Sequence, residues 1–117
     1  MPGDDIRTLS THVLDTSLGK AASEVPLTAY RLSENGEWKE LKCTTTDKDG
    51  RASQLLEAKD FKNGIYKIKF FVHEYYKKLG ADCFYPFIEI VINCEEGQHY
   101  HIPLLLSPFG YSTYRGT

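Results

Sequence analysis

At 117 residues the chain has room for one domain with a buried core, and not for two of ordinary size. Its 14 Lys and Arg stand against 16 Asp and Glu, a net charge of -2, so no basic face for nucleic acid is advertised. The longest apolar run, Ile102 to Leu106, is interrupted by Pro103 and is far too short to span a bilayer, so no membrane partner is expected.

Met1-Pro-Gly-Asp-Asp is acidic and lacks the apolar segment of a signal peptide. Residues 1–8 are expected to be a flexible segment ahead of one domain spanning 9–117. Residues 9 to 16 alternate as a strand should: with Leu9, Thr11 and Val13 inward, Ser10, His12 and Leu14 face out. Leu18-Gly19-Lys20 and the small residues after it read as a loop, and Pro26 to Leu32 as a second strand. Asn35-Gly36 is a hairpin turn signal leading into a third strand, Trp38 to Thr45. Asp47-Lys-Asp-Gly50 is another turn, after which Arg51 opens a fourth strand running to Leu56.

Ile65 to Val72 puts Tyr66, Ile68, Phe70 and Val72 on one face and Lys67 and Lys69 on the other. His73 to Leu79 reads as a two-turn helix, closed by Gly80 where a C-cap wants glycine. Phe87 to Asn93 sets Ile88, Ile90 and Ile92 against Phe87, Glu89 and Val91. In the last long strand Tyr100, Ile102, Leu104 and Leu106 form a core row, with His99, His101, Pro103 and Leu105 opposite. A final strand starts near Tyr111. Eight short strands with regular turns and one short helix predict an all-β fold, an antiparallel sandwich.

An outward face carrying two imidazoles beside Pro and Leu departs from the polar row that a solvated strand shows. It reads as the wall of a groove or of a subunit contact. Other chemistries fit the residues less well. Asp47-Lys-Asp-Gly lacks the closing acidic residue of a calcium loop. No glycine-rich phosphate loop and no GxSxG nucleophile motif is present, and Ser107 before Pro108 is a turn serine serving the backbone. His12, His73, His99 and His101 offer no compact ligand pair for zinc, so no metal is expected. Cys43, Cys83 and Cys94 form neither a CxxC pair nor an even framework and are expected to be reduced thiols of an intracellular protein.

What remains is His12, Arg51 and His101. An imidazole that titrates near neutrality can take a proton from water, and a second can hand one to a leaving nitrogen. An arginine can hold the oxyanion that forms as water adds to a carbonyl. Opening an amide-like ring with water needs that set and no cofactor.

Several stretches carry a resemblance. They are Leu9-Ser-Thr-His-Val-Leu-Asp-Thr16, Thr46-Asp47 with Asp49-Gly-Arg51, Cys83-Phe-Tyr-Pro86, His99-Tyr-His-Ile-Pro-Leu-Leu-Leu-Ser-Pro108 and the closing Tyr-Ser-Thr-Tyr-Arg-Gly-Thr117. In order, from about Leu9 to the last residue, they resemble the 5-hydroxyisourate hydrolases, the transthyretin-like enzymes of urate breakdown. The resemblance implies two four-stranded sheets with one short helix, and a homotetramer, a dimer of dimers, with sites in clefts between dimers. A monomer would then be inactive. The implied reaction is hydrolysis of 5-hydroxyisourate to 2-oxo-4-hydroxy-4-carboxy-5-ureidoimidazoline without a cofactor.

By the same resemblance His12, Arg51 and His101 are the catalytic set. Tyr114 and Thr117 belong to a closing tetrad that, with His12 and Arg51, lines the substrate site at the end of the chain. Which histidine is the base stays open. Members of the family usually close on Ser; Thr117 keeps the hydroxyl and adds a methyl and a stiffer χ1. The alternative is a carrier like transthyretin, which takes thyroid hormone in the equivalent channel but lacks the histidines, the arginine and the tetrad. A cytoplasmic location is expected, or else a peroxisomal one, although Arg-Gly-Thr is not the Ser-Lys-Leu address.

Overall fold

A strand of alternating polarity buries one face, and two sheets of such strands close over a shared core. The computed structural model describes residues 8–117. Nine strands occur in it: β1 (Leu9–Asp15), β2 (Lys20–Ala21), β3 (Pro26–Leu32), β4 (Trp38–Thr45), β5 (Arg51–Ala52), β6 (Gly64–Phe70), β7 (Ile88–Cys94), β8 (Tyr100–Ser107) and β9 (Gly110–Thr113). A helix, α1 (Val72–Lys78), follows β6, and a single 3-10 turn covers Ala58–Asp60. One sheet runs β2-β1-β8-β9 with β5 also paired to β1; the other runs β4-β3-β6-β7. The expected sandwich of two sheets is therefore present.

The core rows are those the alternation predicts. Leu9, Val13, Leu104 and Leu106 from one sheet and Leu27, Ala29, Ile68 and Phe70 from the other are all essentially without solvent contact. Each large apolar side chain withdrawn in this way stabilises the fold by about 1.5–3 kcal/mol. Asp15 ends the inner row of β1 and is also fully buried. Its carboxylate accepts from the Ser17 and Leu18 amides at 2.9 and 3.2 Å and from the Tyr75 hydroxyl at 2.9 Å, which ties α1 to the end of β1. Burial, together with that carboxylate, raises the Tyr75 phenol above its ordinary range and keeps it a donor.

Four details differ from expectation. Lys20–Ala21, read as loop, pairs with Leu14 and Asp15 as a short strand. The strand expected from Arg51 to Leu56 stops at Ala52. Leu55 and Leu56 are both buried, and two consecutive inward residues cannot be met by a pleated strand; the Leu55 amide instead donates to Leu9 O at 2.9 Å. The helix begins one residue early, at Val72, and Gly80 follows it with φ +73°. Finally, β1 and β8 pair in parallel within an otherwise antiparallel fold. They are far apart in the chain, so no hairpin dictates their direction.

Of the segment expected to be flexible, residues 1–7 lie outside the described residues. Thr8 is buried, with its hydroxyl donating to Leu56 O.

Candidate active site

The outer face of the β2-β1-β8-β9 sheet brings the candidate residues together, and pairing register does the work. His12 of β1 is the antiparallel partner of Arg51 in β5 and, across the strand, the parallel partner of Pro103 in β8. Directly paired residues on one sheet face have Cβ atoms about 4.5–5.5 Å apart, so the imidazole and the guanidinium leave the sheet side by side. His101 pairs with Ser10, two residues along the same face from His12. Both histidines, with Leu14 and Leu105, are half-buried; Ser10 and Pro103 are buried and Arg51 is exposed.

The turn that delivers Arg51 is built for close approach. Gly50 has φ +78°, and a Cβ there would lie 2.4 Å from Val13 O, so any side chain would push β5 off β1. Gly50 O accepts the Val13 amide at 2.7 Å. The Asp47 carboxylate accepts the Asp49 and Arg51 amides at 2.8 and 3.0 Å, closing the loop as an Asx turn. Those amides, Arg51 first, hold the Asp47 carboxyl below the ordinary carboxylate value; the charges of Arg51 and His12 add to the effect.

The end of the chain closes the other flank. β9 pairs with β8 through Leu104 opposite Thr113, and the His101–Gly116 bridge continues the same register. Tyr114 therefore falls opposite Pro103 on the site face, while Arg115 turns to the other side, its guanidinium 4.3 Å from the Tyr100 ring centre. The Gly116 amide donates to His101 O at 2.8 Å. Thr117 follows, exposed.

Sequence reading missed two contributors, Ser10 and Asp47. The Ser10 hydroxyl lies 2.8 Å from His101 Nδ1 and 3.2 Å from His99 Nε2, bridging two imidazoles that the alternation had already put on one face. Only the parallel β1–β8 register, which no local pattern reveals, seats a serine there. Asp47 was legible as a turn residue but not as the group that aims Arg51. Ser107 does serve the backbone, donating to Gly110 O at 3.1 Å. Among the described residues no three His, Cys, Asp or Glu side chains gather as a metal site requires. His73 stands exposed on α1. A groove of about 780 Å3 between β4 and residues 54–62 has Lys39, Lys42, Gln54 and Glu57 in its walls and none of the histidines.

The face thus offers three imidazoles, a guanidinium and a phenol above an apolar floor of Leu14, Pro103 and Leu105. It is equipped for proton transfer and for holding a developing negative charge. Residues 9–116 match the model of the HIUase/Transthyretin family. A 5-hydroxyisourate hydrolase of Mus musculus is 43% identical over 111 residues, covering 93% of this chain and 94% of that protein. A relative of the same name from Halalkalibacterium halodurans is 40% identical over 115 residues, covering 93% and 97%. Sea bream transthyretin, solved in complex with thyroxine, superposes with a TM-score of 0.89 at 31% identity over 93% of this chain and 94% of its own. With its motifs, its sandwich and these relatives in agreement, the chain belongs to the HIUase/transthyretin family.

Proposed function

We propose that this protein hydrolyses 5-hydroxyisourate in urate degradation, yielding 2-oxo-4-hydroxy-4-carboxy-5-ureidoimidazoline. The observation that carries the reading is the meeting of His12, Arg51 and His101 on one sheet face in a chain whose relatives bear the hydrolase name. One histidine takes a proton from water as its oxygen adds to the ring carbonyl. Arg51 holds the resulting oxyanion. The C–N bond then breaks, and the second histidine delivers a proton to the departing nitrogen. Tyr114 and Thr117 position the ring.

A flat sheet face cannot exclude water from such a step, and a second copy laid over it would supply the missing wall. We infer a homotetramer in which clefts between dimers hold the sites. The half-buried Leu14 and Leu105 on this face support that assembly. So do the outer edges of β7 and β9, whose neighbourhood exposes Phe87, Val91, Phe109 and Tyr111.

The test is to generate 5-hydroxyisourate from urate with urate oxidase and follow its ultraviolet decay with and without this protein. Decay well above the spontaneous rate supports the hydrolase. No acceleration by the folded protein, with saturable thyroxine binding, would favour a carrier instead.

A further inference from the structure

The Ser10 hydroxyl is buried between His99 and His101, whose ring centres are 6.4 Å apart. It carries one proton and touches a nitrogen of each ring. If it donates to His101 Nδ1, then it can only accept from His99 Nε2–H. If it donates to His99, then His101 must present Nδ1–H. The two rings are thereby locked in complementary states, and both cannot direct an N–H at Ser10 while its own proton also points at one of them. Being buried, the hydroxyl has little competition from water for either bond.

We propose that Ser10 is a positioning residue of this site and that Ser10 and His99 form a proton relay behind His101; the proposal rests on the hydrolase reading. The His101 reaction falls to Nε2, the nitrogen that Ser10 does not hold. When Nε2 takes a proton, the one on Nδ1 passes to Ser10 Oγ and the Ser10 proton passes to His99 Nε2. The charge ends on His99, and His101 is neutral again with its tautomer switched. Delivery of a proton runs the same three transfers backwards, so proton count and charge balance over the cycle. Among the charged groups near the pair is Arg115, whose Nη2 lies 3.5 Å from His99 O. Arg115 opposes a second positive charge on the pair, which favours one shared proton over two.

Three variants of the full-length protein test this. Ser10→Ala removes the bridge, Ser10→Thr keeps the hydroxyl, and His99→Gln keeps a hydrogen-bonding atom near Nε2 but cannot carry the proton. Turnover in Ser10→Ala and in His99→Gln is expected to fall about 10- to 100-fold, at the low end of general acid–base contributions, with KM within about twofold. Ser10→Thr should restore most of the loss, and Ser10→Ala combined with His99→Gln should be no slower than either alone.

Imidazole 15N shifts read the lock without reference to turnover. His99 and His101 should be the same tautomer in the wild type, both Nε2–H or both Nδ1–H, and each should populate both forms in Ser10→Ala. Opposite tautomers in the wild type, or unaltered shifts in Ser10→Ala, would overturn the lock. Unchanged turnover in His99→Gln would overturn the relay even if Ser10→Ala failed to fold. A wild-type protein with no effect on 5-hydroxyisourate would instead sink the hydrolase reading, and the shifts would still decide the lock.

Discussion

Arg51 stands beside His12 because Asp47 holds the turn ahead of it. The Asp47 carboxyl lies below its ordinary value chiefly because it accepts the Arg51 and Asp49 amides. A depressed carboxyl stabilises the fold fully above its unfolded value of about 3.9, and that stabilisation fades as pH falls through the lower folded value. Asp47→Asn keeps an acceptor oxygen and removes only the charge. Its melting temperature should therefore lie below wild type at pH 7 and converge with it as pH drops under 4, in paired thermal melts across that range. A constant gap at all pH values would contradict the role given to the ionised carboxylate. The outward placement of His12 and His101 was legible in the sequence from alternation. The role of Ser10 was not, since its meaning lies in a partner some 90 residues away.

Strand register decides how the last segment meets the site. A Cβ on Gly116 would lie 2.8 Å from His101 Cδ2 and 3.2 Å from Pro103 Cγ, so an alanine must move either the segment or the imidazole. Gly116→Ala is expected to lower turnover by about tenfold or more, as small misplacements of a catalytic group do, with little change in melting temperature. Loss of turnover only in step with loss of folding would show that the close approach has no bearing on the site. At this scale β3 and β4 follow from the sequence residue for residue, with the Asn35-Gly36 turn between them. The short β5 and the parallel β1–β8 pair do not. The first is set by two consecutive leucines that both seek the core, and the second by a crossing between distant strands.

For the whole molecule, the site is an open face with half-buried apolar side chains, and among the described residues β7 and β9 end their sheets with unpaired edges. The proposed assembly covers both features, so specific activity should fall on dilution as copies separate and return on reconcentration. Sedimentation velocity beside the rate measurement checks this, and a dilute monomer at full specific activity would contradict the shared cleft. The sandwich itself was readable from periodicity alone. The assembly was not, because a half-buried apolar face looks the same in sequence whether a loop or another subunit covers it.

The measurement closest to the central claim is the coupled decay of enzymatically generated 5-hydroxyisourate with wild type, His12→Asn, Arg51→Gln and His101→Asn side by side. The account predicts rapid decay with wild type and losses of roughly 100-fold or more in each variant, since each removes an acid, a base or an oxyanion holder. Near-normal turnover in both histidine variants of a folded protein would contradict it.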